Sequence, residues 1–324
     1  MQAETWRITG GGFHFGEHGL GQEAVLVTFP SDSLFAALIS RLAESEGQSA
    51  VTEWISPFLN GEPPFVLSST FPFAGRVRFF PAPLQGLPPS RRAITKSEGQ
   101  SQPEAKALKR VAFVSEKLYR SLLQGETLAA LYRQAVLLQN GKCLVSKDEH
   151  EDLPPDLKSP QGKIWELEQR PRLAIDRHSA QSALYFTGRV SYADGCGLWF
   201  AVRWLAQGQE WRRRLAGLLA LLADSGLGAE RSAGFGACRI DHAETIDLPD
   251  PRENGPWTSL SRYLPCPDEI SALLHPGAAY EIRRVGGWVG SPTSLGQRRR
   301  ALNLLAEGAR FGQLPRQIPG QIAD

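Results

Sequence analysis

Leu222–Ile240 reads LADSGLGAERSAGFGACRI, and the reading of this stretch decides the fold. A leucine-rich helix runs into it, glycines stand at 226, 228, 234 and 236, and Arg231 and Ser232 lie between the two pairs. Glycine reaches positive φ and lets backbone N–H groups approach a ligand with no Cβ in the way. An arginine in such a loop adds a planar fork suited to phosphate. The dinucleotide fingerprint G-x-G-x-x-G fails here, because its third glycine falls on Arg231 or on Arg239. That fingerprint also joins a strand to the helix it opens, whereas this loop leaves a helix and enters Phe235–Ile240, which reads as a strand. A plain helix C-cap needs one glycine. Four around an Arg-Ser pair point instead to a backbone-approach surface at a helix-to-strand junction.

Upstream of the loop, Pro171–Arg177, Ala183–Tyr192 and Gly197–Trp204 alternate as strands, and Trp211, Leu215, Leu218, Leu219 and Leu222 share one face of the helix. Downstream, Tyr280–Val289 reads as a strand and Gly296–Leu305 as a helix. The first half carries a strand at Trp6–Thr9, a second at Glu23–Phe29, and a helix opened by Ser31-Asp32-Ser33 with Leu34, Phe35, Leu38, Ile39 and Leu42 on one face. Each half therefore offers strands around helices in the order β…β-α…β or β-β-α-β. The expected fold class is α+β: two ferredoxin-like (RNA-recognition-motif-like) domains with antiparallel sheets and a glycine-rich loop. The expected boundaries are 1–146 for an N-terminal domain with a basic insertion, 147–163 for a charged, proline-rich linker, 164–312 for the C-terminal domain, and 313–324 for a flexible tail.

Composition fits two globular domains: 324 residues, 42% hydrophobic and 22% charged, with a net charge of +2. Overall charge does not announce a nucleic-acid partner. Only eight of the 36 basic residues are Lys, however, and Arg suits bidentate phosphate contacts and base stacking. Cys143, Cys196, Cys238 and Cys266 form no C-x-x-C pair, so neither a zinc site nor a redox motif is readable. The opening MQAETWRITGGG lacks a signal-peptide pattern, and no apolar run reaches bilayer length. A cytoplasmic protein without cofactor or metal is expected.

No catalytic motif appears. His14 and His18 are four apart in a glycine-rich stretch that does not read as a helix, which argues against paired metal ligation. One of them could serve as a general base, but loop histidines without chemistry are commoner. For nucleic acid, three segments combine cations with glycine or aromatics: Arg172, Arg177 and His178; Gly226, Gly228, Arg231, Ser232, Gly234 and Gly236; and Arg284 with Gly286, Gly287 and Trp288. The aromatic signature of a standard RNA-recognition motif is absent, so RNA contact is expected through loops.

FHFGEHGLGQ at 13–22, SDSLFAALI at 31–39, LSSTFPFAGRVRFFPAPL at 67–84, RPRLAIDR at 170–177, GLGAERSAGFGACRI at 226–240, YEIRRVGGWVGS at 280–291 and AEGARFG at 306–312 together resemble the RAMP superfamily of CRISPR proteins. Within it, the likeness is to the fourth-subunit family of the type III-A (Csm) effector complex. Ala229 and Ala309 depart from the family pattern. The resemblance implies two ferredoxin-like domains and a non-catalytic role, with His14, His18 and Ser31 joining the RNA-contacting set. It implies that the subunit holds the 5′ repeat-derived tag of the CRISPR RNA and meets target RNA only indirectly. It further implies partners: a large cyclic-oligoadenylate-synthesising subunit and the backbone RAMP subunits, with no membrane. By the same analogy the hairpin after Arg177 is a thumb-like element that bends the guide near the tag–guide junction. The alternative within the superfamily is an endoribonuclease that cuts precursor CRISPR RNA, with His14 or His18 as base.

Overall fold

The structure, a computed structural model, describes residues 1–16, 24–84, 102–159, 162–175, 182–205, 209–250, 255–288, 298–314 and 318–323. Its main sheet is organised around β1 (Gln2–Gly10), which buries Ala3, Thr5 and Ile8. Both edges of β1 are taken, one by β10 (Cys196–Trp204) and the other by β11 (Cys238–Asp247), each antiparallel. On the far edge of β10 lie β2 (Phe65–Leu67) and β3 (Phe71–Ala74), end to end. The Ser68-Ser69-Thr70 break between them uses its hydroxyls instead of a ladder. Ser68 Oγ accepts the Ala201 N–H (2.9 Å), Ser69 Oγ the Ser31 N–H (2.9 Å) and Thr70 Oγ1 the Phe29 N–H (2.7 Å).

The sheet continues through β4 (Val77–Pro81), β5 (Phe113–Ser115), β7 (Cys143–Val145) and β6 (Val136–Leu138), reaching nine strands among the described residues. Only its β5–β7 pairing is parallel. Short helices α3 (Gln102–Leu108), α4 (Glu116–Leu123) and α5 (Leu128–Tyr132) accompany this part. In α4, Glu116 accepts from both Arg78 and Arg120, and Arg78 also reaches Glu244 on β11.

Helices α1 (Ser31–Glu46), α2 (Gln48–Leu59) and α6 (Gln209–Ser225) pack together over the sheet. Leu34, Leu38 and Leu42 of α1, and Leu215, Leu218, Leu219 and Leu222 of α6, recur every three or four residues and are all buried. Each such leucine contributes roughly 1.5–3 kcal/mol by leaving water. Trp54 of α2 closes the layer against Trp211 of α6, ring centres 4.8 Å apart. In chain order β1, α1, β2/β3, β10, α6 and β11 make a β-α-β-β-α-β unit with strands in the spatial order 4-1-3-2, and residues 77–195 are inserted between its second and third strands.

From that insertion rises a hairpin of β8 (Trp165–Ile175) and β9 (Ser182–Tyr192), paired in register along its length. Its base is buried at Trp165 and Val190, while Leu173 and Leu184 face each other exposed further out. The Gln139 side chain seats the base as a strand would, accepting the Ile164 N–H (2.8 Å) and donating to the Trp165 carbonyl (2.8 Å).

A second, smaller core gathers Tyr263, Ala272, Leu273, Leu305, Ala309, Phe311 and Leu314. Around it stand β12 (Trp257–Thr258) with β15 (Arg310–Phe311), β13 (Ile282–Trp288) with β14 (Arg298–Leu305), and α7 (Ile270–Leu273). No helix among the described residues is long and apolar enough to cross a membrane.

Mixed helices and mainly antiparallel sheets agree with the sequence expectation; several particulars differ. The segment 24–29 forms no strand, because β10 and β11 already occupy both edges of β1; it runs irregularly and buries Phe29. Arg298–Leu305 is a strand and not a helix: its leucines pack as a partner of β13, placing Leu304 and Leu305 inward. The stretch 147–163 does not separate two sheets, since strands from either side of it share one. Residues 318–323, expected to fray, are docked: Gln321 N–H donates to Leu264 O (3.0 Å) and Gly320 N–H to the fully buried Glu269 carboxylate (2.9 Å).

Candidate nucleic-acid interface

α6 ends at Ser225, and the chain then reverses through a compact loop closed on itself. Leu227 N–H donates to Gly236 O (2.9 Å), and between them a 3-10 turn, Arg231–Ala233, is bracketed by left-handed Glu230 and Gly234. Gly236 has φ 85°, and a Cβ there would overlap the Leu227 carbonyl oxygen and sit 3.1 Å from Leu227 N. Gly228, at φ 92°, faces the His14 carbonyl oxygen, which a Cβ would meet at 2.6 Å. These two glycines are required by close backbone approach.

That approach joins the loop to the segment after β1. Ala229 N–H donates to His14 O (2.9 Å) and Gly236 N–H to Gly12 O (2.9 Å). Phe13 in turn exchanges hydrogen bonds with Val190 on the hairpin (2.8 and 2.9 Å). Glycine loop, Gly10–Phe15 and hairpin therefore meet at one junction. Arg231 and Ser232 stand exposed at the tip of the turn.

His14 is 5% exposed, and its Nδ1 lies 2.8 Å from Gly188 O. A carbonyl only accepts, so Nδ1 carries the hydrogen and the ring serves to fix the hairpin base. Arg172, on β8, donates to Ala233 O (2.8 Å), with its guanidinium 5.0 Å from the centre of the Phe235 ring. Arg189, on β9, lies 6.0 Å from the same ring and donates to Gly11 O. Arg189 and Phe235 escaped the sequence reading; the available signal was an aromatic residue set between two glycines.

Of the residues singled out in the sequence, the junction thus gathers His14, Arg172, Gly226, Gly228, Arg231, Ser232, Gly234 and Gly236. Ser31 opens α1, is buried, and accepts the Arg262 N–H with its hydroxyl (2.9 Å). Arg284, Gly286, Gly287 and Trp288 lie on β13, which pairs with β14 and not with the main sheet. His18, Arg177 and His178 fall outside the described residues. Burial pushes the Cys238 thiol, next to the loop, up to about 11, so it stays protonated at neutral pH. No cluster able to hold a metal ion occurs among the described residues.

Residues 252–324, which contain the second core, match the family described as the CRISPR Csm4 C-terminal domain. Over its full length the chain is 26% identical to "CRISPR system Cms protein Csm4" of Mycobacterium tuberculosis, covering 92% of that protein. It is 23% identical to the protein of the same name from Thermococcus onnurineus, over 86% of this chain and 80% of that one. The fold is similar to a chain of the crystal structure of a Csm3-Csm4 subcomplex from a type III-A CRISPR-Cas interference complex (TM-score 0.65, 19% identity, 99% and 95% of the two chains covered). It is also similar to a chain of a Csm1-Csm4 cassette bound to pppApA (TM-score 0.55, 16% identity, 97% and 88% covered). Residues 252–324 thus match the Csm4 C-terminal domain family, and the chain as a whole is similar in sequence to proteins named Csm4 and in fold to a chain of the Csm3-Csm4 subcomplex.

Proposed function

We propose that this protein is a non-catalytic, RNA-binding subunit of a type III-A (Csm) CRISPR interference complex. It holds the 5′ repeat-derived tag of the CRISPR RNA and links the large cyclic-oligoadenylate-synthesising subunit to the RAMP backbone. The observation that carries the reading is the glycine loop, whose tip presents Arg231 and Ser232 to solvent beside an arginine-bearing hairpin. A guanidinium and a hydroxyl are the chemistry a phosphodiester strand needs. Related proteins described as a Csm3-Csm4 subcomplex and a Csm1-Csm4 cassette support the two protein partners. The β-α-β-β-α-β unit is read as one ferredoxin-like domain, and residues 252–324 as a second. The reading implies a cytoplasmic protein.

Arg231→Ala tests it. In equilibrium binding to repeat-tag RNA over a salt series, loss of one phosphate contact lowers the magnitude of the log–log slope by about 0.7 for a single strand. An unchanged slope removes Arg231 from the interface. Recovery of complexes from the host without tag-bearing RNA overturns the reading as a whole. The endoribonuclease alternative needs a histidine that RNA can reach, and His14 is only 5% exposed. Incubation with repeat RNA checks it: product formation abolished by His14→Ala or His18→Ala establishes an enzyme.

A further inference from the structure

Phe235 is flanked by two guanidinium groups that come from opposite strands of the hairpin. Arg172 sits 5.0 Å and Arg189 6.0 Å from its ring centre. Each arginine is also fixed by a backbone carbonyl on a different piece of chain. Arg172 Nη2 donates to Ala233 O in the 3-10 turn, and Arg189 Nη2 donates to Gly11 O after β1. Gly12 leaves the room for this, since a Cβ there would overlap the Arg189 guanidinium. The Nε atoms of both arginines are buried and make no hydrogen bond, as is Thr187 Oγ1 on the same face of the hairpin. Donors left unpaired in this way carry a cost, which the ring stacking and the two carbonyl bonds offset.

Backbone hydrogen bonds tie the ends of the loop, at Leu227–Gly236, Ala229–His14 and Gly236–Gly12, but the backbone bonds at its tip run only within the turn. Its turn is three residues long and is bracketed by left-handed backbone at Glu230 and Gly234. A 3-10 turn of that length does not hold a fixed orientation without outside contacts.

We propose that Arg172, Phe235 and Arg189 form a clasp that locks the glycine loop to the β8–β9 hairpin, so that both arginines act as positioning residues for Arg231 and Ser232 and not as phosphate ligands. The inference rests on the RNA-binding reading above for its purpose, but the clasp itself is a property of the free protein. A lysine cannot replace either arginine, because it has neither a planar face for the ring nor a fork for the carbonyl. Movement of the hairpin is transmitted to the loop through the ring.

The test uses the full chain in two measurements. Arg231–Ser232 is an exposed trypsin site, and cleavage after Arg231 reports how often the turn opens. Arg172→Lys and Phe235→Leu are expected to accelerate that cut about tenfold, whereas Phe235→Tyr, which keeps the ring, restores wild-type resistance. Far-ultraviolet circular dichroism on each variant confirms that the sheet is intact. Binding to repeat-tag RNA across a salt series is the second measurement. Arg172→Leu lowers affinity with the salt slope unchanged, while Arg231→Ala lowers the slope itself. A slope change in Arg172→Leu as large as that of Arg231→Ala makes Arg172 a phosphate ligand and overturns the proposal. Unchanged cleavage in both Phe235→Leu and Arg172→Lys overturns it as well. Absence of any RNA binding by the wild type removes the RNA reading alone, and the cleavage rates still decide whether the clasp exists.

Discussion

Gly234 and Gly236 offer a matched pair for measuring what backbone approach contributes to the loop. Their φ angles are 87° and 85°, so an alanine suffers the same left-handed penalty at either position. That penalty is about 1–2 kcal/mol, reduced by about 0.4–1 kcal/mol because glycine also frees the unfolded chain. Their surroundings differ. A Cβ on Gly234 meets nothing within 4 Å, while one on Gly236 overlaps the Leu227 carbonyl oxygen and crowds Leu227 N at 3.1 Å. To admit it, the backbone must separate, which gives up the Leu227–Gly236 hydrogen bond and the Gly236–Gly12 bond, both 2.9 Å. Each buried group left unpaired costs about 1–3 kcal/mol. Gly234→Ala should therefore cost about 1 kcal/mol and Gly236→Ala about 3 kcal/mol or more. At about 2–4 °C per kcal/mol for a domain this large, thermal unfolding should fall by a few degrees in the first and about 10 °C in the second. Equal losses in the two variants would refute the argument, because the shared φ would then account for everything.

Two further outcomes follow from groups elsewhere in the fold. Glu269 is fully buried and accepts from Tyr263 Oη (2.6 Å), Cys266 N (2.7 Å) and Gly320 N (2.9 Å), so Glu269→Gln turns an amide donor onto other donors and should cost about 2–3 kcal/mol; hydrogen exchange in 318–323 should rise, and protection equal to wild type would remove Glu269 as the anchor of that segment. Burial raises the Glu116 carboxyl, but its hydrogen bond from Arg120 and the nearby Arg78 outweigh this and hold it below its ordinary value. A depressed carboxyl stabilises fully above the usual carboxylate range and loses that contribution as pH falls through it. Urea midpoints should thus decline on acidification, less steeply in Glu116→Gln. Glu149, which burial pushes up, supplies the control of opposite sign. A Glu116→Gln curve parallel to wild type would show that this ion pair does not shape the acid limb.

The local signals in the chain translated well. Leucine spacing located α1 and α6 and alternation located the hairpin strands, while Gly228 and Gly236, read as room for a ligand's approach, lie against the chain's own carbonyls at His14 and Leu227. What could not be read was which segments meet. The segment 24–29 (AVLVTF) is as β-branched as a strand requires, yet strand formation needs a free edge, and β10 and β11 have taken both edges of β1 from more than 180 residues away. The same competition explains Arg298–Leu305: leucine spacing fits a helix, but the backbone of β13 was available to pair. At the candidate site, glycine and arginine advertised themselves by type, whereas Phe235 and Arg189 matter only through a contact between distant segments.

The position of β1 between β10 and β11 also has a consequence for synthesis. Gln2–Gly10 leaves the ribosome well before its partners, Cys196–Trp204 and Cys238–Asp247. At about 5–20 residues per second the strand waits roughly 10–50 s with both edges open. The Met1 ammonium finds its own place, beside Asp247 and Leu248 O, only after that. The nascent chain must therefore be kept from pairing with the wrong edge until its partner strands have emerged, and a chain ended before Asp247 lacks the strand that closes its first sheet.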